Sequence, residues 1–218
     1  MDSMDQERER GITIKAKNTS VRWNDHVINI VDTPGHADFG GEVERILSMV
    51  DGAILLVDAA EGPLPQTKFV VGKALAQGIR PIVVINKVDR GDARPDEVLD
   101  EVFDLFSALD ADEDQLDFPY LFASGRDGWA DDSLEGPREN LDALFKLVTK
   151  HVPAPNVDKN APFALIGTLM SSDPYLGRLI TGRVASGVLK PNMAVKALSR
   201  EGALIENGEI HKHGNYNA

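Results

Sequence analysis

The chain has 218 residues, 42% hydrophobic and 27% charged, with a formal net charge of -12. That length suits one good-sized domain plus part of another. Its acidity excludes long-range attraction to nucleic acid from the whole surface, so any RNA contact must be local. Having no cysteine removes disulfides, thiolate metal sites and cysteine nucleophiles, and none of the five histidines pairs at a zinc-like helical spacing.

The opening Met1–Arg10 is polar and mixed in charge, unlike a signal or transit peptide, and no apolar run approaches membrane-spanning length. Cytoplasm is the expected location. Arg10-Gly11-Ile12-Thr13-Ile14 begins a segment reaching Trp23. The Thr13 hydroxyl can coordinate Mg2+ while its N–H meets a terminal phosphate, though a lone threonine in a strand is ordinarily just a β-former. Asn24-Asp25 then joins this segment to the apolar run Val27–Val31, a hairpin pattern.

That run predicts a strand buried on both faces, ending in Asp32-Thr33-Pro34-Gly35-His36. Ligands of such sheets sit beyond the carboxyl ends of the strands. Asp32 can hold a hard Mg2+ ion, Gly35 lets backbone approach a ligand closely, and His36 can orient a water molecule. The same residue types also make a plain turn.

Apolar residues at Val43, Ile46, Leu47 and Val50 give a helical period over 39–50. Ala53–Asp58 reads as a second buried strand, and Pro65–Gly78 as a helix with Pro at its start and Gly at its end. The alternation continues with a strand at Pro81–Ile85, a helix at Pro95–Leu109, a strand at Tyr120–Ala123 and a helix near Glu139–His151. Such alternation means a doubly wound α/β sheet. The acidic Asp110–Asp117 reads as a solvated connection.

Asn86-Lys87-Val88-Asp89 follows a buried strand directly. The Asp89 carboxylate can accept two hydrogen bonds from the N1–H and N2–H2 edge of guanine, an edge adenine lacks, each worth about 1.5 to 3 kcal/mol. Asn86 would brace this site and the Lys87 stem would lie along the base. The backbone N–H groups of Ser124-Gly125-Arg126, after the next strand, would face guanine O6.

Val152–Asn156 breaks the helical rhythm as a linker over 153–160. Beyond it, short strands at Phe163–Leu169, Leu179–Ala185 and Met193–Leu198 suggest an all-β unit over 161–206, part of a barrel. Residues 207–218 show neither period and read as an irregular tail, despite His211 and His213.

Arg-Gly-Ile-Thr-Ile, Asp-Thr-Pro-Gly-His and Asn-Lys-Val-Asp, in this order, resemble the switch I, switch II and base-specificity motifs of translational GTPases. His36–Arg45 and Val152–Pro155 are similar to the TypA/BipA ribosome-associated GTPases. The resemblance implies a P-loop-NTPase-like mixed sheet, a translation-factor barrel, GTP/GDP and Mg2+ as cofactors, and a ribosome as partner; separately, a monomer is the expectation. By it, Thr13 and Asp32 attend the metal, Gly35 senses γ-phosphate, His36 positions the attacking water, and Asn86, Lys87 and Asp89 select guanine beside Ser124 and Gly125.

The family's Gly-x-x-x-x-Gly-Lys-Ser/Thr phosphate loop has no match in this sequence. The expectation is therefore a fragment, lacking that loop, the first strand and the later domains, with nucleotide affinity too weak to register at micromolar concentrations. The alternative is a non-hydrolysing interaction module built on a GTPase sheet.

Overall fold

The computed structural model describes residues 17–33, 40–175 and 177–211. The polypeptide divides into two compact units, Val31–Ala154 in one and Asn18–Ile30 with Pro155–Ala218 in the other. A single GTP-binding domain over 1–152 is the expectation from sequence, while contacts group Asn18–Ile30 with the later residues.

The first unit is built on a four-stranded sheet of β3 (Ile54–Asp58), β4 (Ile82–Asn86), β5 (Tyr120–Ser124) and β6 (Trp129–Asp131), in that spatial order. The first three strands run parallel and β6 is antiparallel to β5. Ile-Val-Val-Ile makes β4 a natural interior strand, because β-branched side chains fit a pleated surface covered on both faces. All four of these residues are buried. Period-2 alternation divides them: Val83 and Ile85 pack with Val98, Val102 and Phe106, while Ile82 and Val84 pack with Leu121, Ala123 and Ala130.

Helices cover both faces. On the Val83 side lie α2 (Pro65–Ala76) and α3 (Pro95–Ala108), and on the Ile82 side lies α5 (Asp142–His151) through Leu144, Leu147 and Val148. Pro65 and Pro95 stand at the first turns of α2 and α3, where a missing N–H costs nothing. The predicted helix at 39–50 is α1 (Gly40–Leu47), whose Val43 and Leu47 pack on Ala74 of α2.

Three expectations need correction here. The run ending at Asp32 is β2 (His26–Asp32), which pairs with β1 (Lys17–Trp23) in a separate two-stranded sheet, so it is not the buried strand predicted. With β1 as its one partner among the described residues, it leaves Val27 and Ile30 each 38% exposed. Similarly β3 has β4 as its one neighbour among the described residues: Val57 is buried, but Ile54 and Leu56 are exposed. The acidic connection also contains a short helix, α4 (Glu113–Leu116), set by a capping box in which Asp112 accepts from the Gln115 N–H and the Gln115 side chain accepts from the Asp112 N–H. The Gln115 amide nitrogen also donates to Leu75 and Ile79 carbonyls, docking α4 on the end of α2.

In the second unit, β7 (Ala164–Asp173) pairs antiparallel with β8 (Gly177–Ser186), and β9 (Met193–Leu198) with β10 (Leu204–Ile210). These are two hairpin sheets, a partial β domain. Gly167 and Gly182 face each other across β7 and β8, where a Cβ on Gly182 would strike the Ile166 carbonyl. The tail expected from 207 onward instead contributes 207–210 to β10, because backbone pairing with Met193–Lys196 needs no apolar period.

Candidate functional site

Register builds this site. Parallel pairing places Asp58 opposite Asn86, and Asn86 opposite Ala123, so the carboxyl ends of β3, β4 and β5 form one rim. In a parallel α/β sheet this is the rim beyond which ligands sit.

Asn86 ties the loops on that rim together. Its side-chain oxygen accepts from the Lys87 N–H at 2.8 Å and from the Gly125 N–H at 2.9 Å. The Val88 N–H donates to the Ala123 carbonyl at 3.2 Å, and the Ala59 N–H to the Asn86 carbonyl at 2.8 Å. Lys87 itself sits at φ +64°, a left-handed backbone that a lysine adopts only under constraint. The Asn86 oxygen supplies that constraint.

Ser124 is fully buried, and its hydroxyl donates to the Asp127 carboxylate at 2.9 Å while accepting from the Asp127 N–H at 3.2 Å. It shapes the turn after β5. Gly125 differs from the expectation for this loop, since its N–H is engaged by Asn86 and not open to a ligand. Asp89 lies on the same rim with its side chain 17% exposed, and Arg126 Nη2 approaches its carboxylate at 3.1 Å. The structure thus brings together Asn86, Lys87, Asp89, Ser124 and Gly125 at the ends of β4 and β5 and on the loops that follow them.

Two residues not singled out by sequence join them. Asp58, at the end of β3, accepts from Lys87 Nζ at 2.7 Å, Arg90 Nη1 at 3.3 Å and the Ala60 N–H at 2.8 Å. Arg90 is itself held by Asp92 through two nitrogens, each at 2.8 Å. The signal for Asp58 was present, an acid closing an apolar strand as Asp32 does. Burial pushes the Asp58 carboxyl up, yet Lys87 and the amides of Ala60 and Glu61 outweigh it and hold the group at about 2, below its ordinary 3.8.

A depressed carboxyl contributes stability above its unfolded pKa and loses it as the pH falls through the folded one. Asp58→Asn is therefore expected to be less stable than the parent at pH 7, by on the order of 1 kcal/mol. That gap should shrink between about pH 4 and about pH 2, the window bounded by the ordinary and depressed values. Urea midpoints of both proteins across that range check this, and a gap independent of pH would remove the role given to the ion pair.

Of the remaining expected residues, Asp32 alone is described. Asp32 ends β2, in the two-stranded sheet, half-buried, and no strand joins β2 to β3 among the described residues. Thr13, Gly35 and His36 lie outside the described residues. Among the described residues no group of three or more His, Asp or Glu could cage a metal. Mg2+ needs no such cage, since one or two carboxylates, waters and substrate phosphates suffice, and Asp32 is a donor of that kind.

Chemically, the rim offers a carboxylate with two acceptor oxygens on a loop fixed by neighbouring hydrogen bonds. An edge with two adjacent N–H donors is its complement.

The family described as "Elongation factor Tu GTP binding domain" matches residues 1–154. Relatives named large ribosomal subunit assembly factor BipA, from Synechocystis sp. and from Escherichia coli K12, are each 55% identical over 97% of this chain. A third, from Haemophilus influenzae, is 55% identical over 93%. The chain spans about a third of their length, 35% of the first two and 33% of the third. These relatives bear out the likeness to TypA/BipA drawn from the motifs.

Among solved structures, a bacterial selenocysteine-specific elongation factor EF-Sec is similar at TM-score 0.68 and 20% identity, covering 96% of this chain and 36% of that one. The elongation factor SelB of Methanococcus maripaludis, in complex with a GTP analogue, gives 0.67 and 18%, covering 91% and 44%. At such identity these two likenesses establish the fold alone. Matched across its first 154 residues, the chain belongs to the family of the elongation factor Tu GTP-binding domain.

Proposed function

We propose that this chain is the guanine-nucleotide unit of a TypA/BipA-type translational GTPase, which hydrolyses GTP to GDP and phosphate in a switch coupled to the ribosome. The observation that carries this reading is the Asp89 carboxylate on a loop that Asn86 fixes against the Ser124-Gly125-Arg126 turn. The ribosome as partner rests on the relatives' name, large ribosomal subunit assembly factor.

In this reading Asp89 accepts from guanine N1–H and N2–H2, and Asn86 holds the loop that presents it. Lys87, its ammonium anchored by Asp58, lays its stem along the base. His36 orients the water that attacks the γ-phosphate, Gly35 senses that phosphate, and Thr13 and Asp32 hold the metal. Mg2+, when bound, neutralises charge on the phosphate oxygens. The setting is cytoplasmic, and no described helix is long and apolar enough to cross a membrane.

The contacts to the base are the part of the affinity that these residues supply. Two charged hydrogen bonds at about 1.5 to 3 kcal/mol each correspond to binding on the order of millimolar. Ligand-observed NMR with GMP and AMP at such concentrations is expected to show saturation transfer to guanine and little to adenine. Equal transfer to both bases would remove the base-selecting role.

A further inference from the structure

Arg126 stands where the ligand of the proposed base site would have to stand. Its Nη2 lies 3.1 Å from an Asp89 carboxylate oxygen, and its side chain is 77% exposed whereas that of Asp89 is 17% exposed. Nε of the same guanidinium is held by Asp127 at 3.2 Å, so a single nitrogen, Nη2, meets Asp89 as an ion pair. Asp127 is in turn fixed by the buried Ser124 hydroxyl at 2.9 Å. The arginine therefore leans from the β5–β6 turn across to the β4–α3 loop.

The chemistry of the two donors is the same. The edge of guanine that a carboxylate reads is an N1–C2–N2 unit, a guanidine fragment closed into a ring, presenting adjacent N–H groups in one plane. The arginine head presents the same pattern with a full positive charge.

We propose that Arg126 is an intramolecular stand-in for guanine, a residue that occupies the Asp89 carboxylate in the nucleotide-free protein and must be displaced for the base to bind. This rests on the base-selecting reading given above. Its consequence is a tuned affinity. Asp89 is never left as a bare, half-sheltered anion, and every guanine ligand competes with a tethered donor whose hold is that of a largely exposed ion pair. Adenine, without the guanidine edge, cannot make the exchange.

GMP binding to the whole chain, titrated by ligand-observed NMR, tests this with Arg126→Ala and Arg126→Lys. Removing a competitor tightens binding, so Arg126→Ala is expected to lower the GMP dissociation constant about two- to fivefold, within the range of an exposed ion pair. Arg126→Lys, a point charge without the planar fork, should fall between it and the parent. Asp127→Asn, which keeps the arginine but removes its anchor, should tighten GMP binding less than Arg126→Ala does.

The gain should also vanish when Arg126→Ala is combined with Asp89→Asn, since a stand-in acts only through its carboxylate. An unchanged or weakened GMP affinity in Arg126→Ala, with GMP still preferred over AMP, overturns this inference and leaves the base-selecting reading intact. No discrimination between GMP and AMP by any of the proteins, or no GMP binding at millimolar concentrations, overturns both.

Discussion

Asp89→Asn is expected to exchange guanine preference for xanthine preference. A carboxylate offers two acceptors and meets the two donors of the guanine edge. An asparagine amide offers one acceptor and one donor, so one guanine hydrogen bond is lost and the amide N–H2 is driven against the base N2–H2. Xanthine carries N1–H beside a C2 carbonyl, the complement of that amide. Losing one charged hydrogen bond costs about 1.5 to 3 kcal/mol, roughly ten- to more than a hundredfold in GMP affinity, before the repulsion is counted.

The fold should tolerate this change. Asp89 is nearly isosteric with asparagine and its structural contact is an exposed arginine, so thermal midpoints of the two proteins should agree closely. Paired titrations with GMP and XMP read the exchange. Undiminished preference for GMP would place the base-reading carboxylate elsewhere.

Where residues announced their structure, they did so through local rules. The Ile-Val-Val-Ile of β4, the prolines opening α2 and α3, and the Asn24-Asp25 turn each act within a few residues, and each is found where the pattern puts it. The errors arose where the deciding contact is remote. An apolar run such as that of β2 does not reveal how many strands will flank it, and pairing with β1 alone left its valine and isoleucine partly in water.

Helix α4 hid in an acid run because two side-chain hydrogen bonds, not apolar spacing, define it. In the site, the Asn-Lys-x-Asp motif was legible, but its supports were not. Gly125 is 39 residues from Asn86, and Asp58 is paired with Lys87 only because parallel register sets β3 against β4. Sequence spacing alone carries no trace of either contact.

Asn86→Ala is expected to abolish detectable GMP binding while leaving the sheet folded. The lost oxygen is the acceptor for two backbone donors, the N–H groups of Lys87 and Gly125, and losing each of these exposed bonds costs about 0.5 to 1.5 kcal/mol net. Lys87 at φ +64° would also lose the bond that holds it there, against an intrinsic cost of about 1 to 2 kcal/mol for a left-handed residue with a Cβ. The loop is then free to relax, and Asp89, two residues on, loses its place.

By contrast, the Asn86 main chain keeps its ladder position between Asp58 and Ala123 and still accepts from the Ala59 N–H at 2.8 Å, so β4 itself has no reason to leave the sheet. Asn86→Asp retains an acceptor for both amides and should preserve most of the loop order that alanine loses. Amide hydrogen exchange at Lys87 and Gly125 separates these outcomes: faster by tenfold or more in the alanine variant, near the parent rate in the aspartate variant. If both amides stay equally protected in Asn86→Ala while GMP binding persists, the brace across the two loops is not what presents the carboxylate to the base.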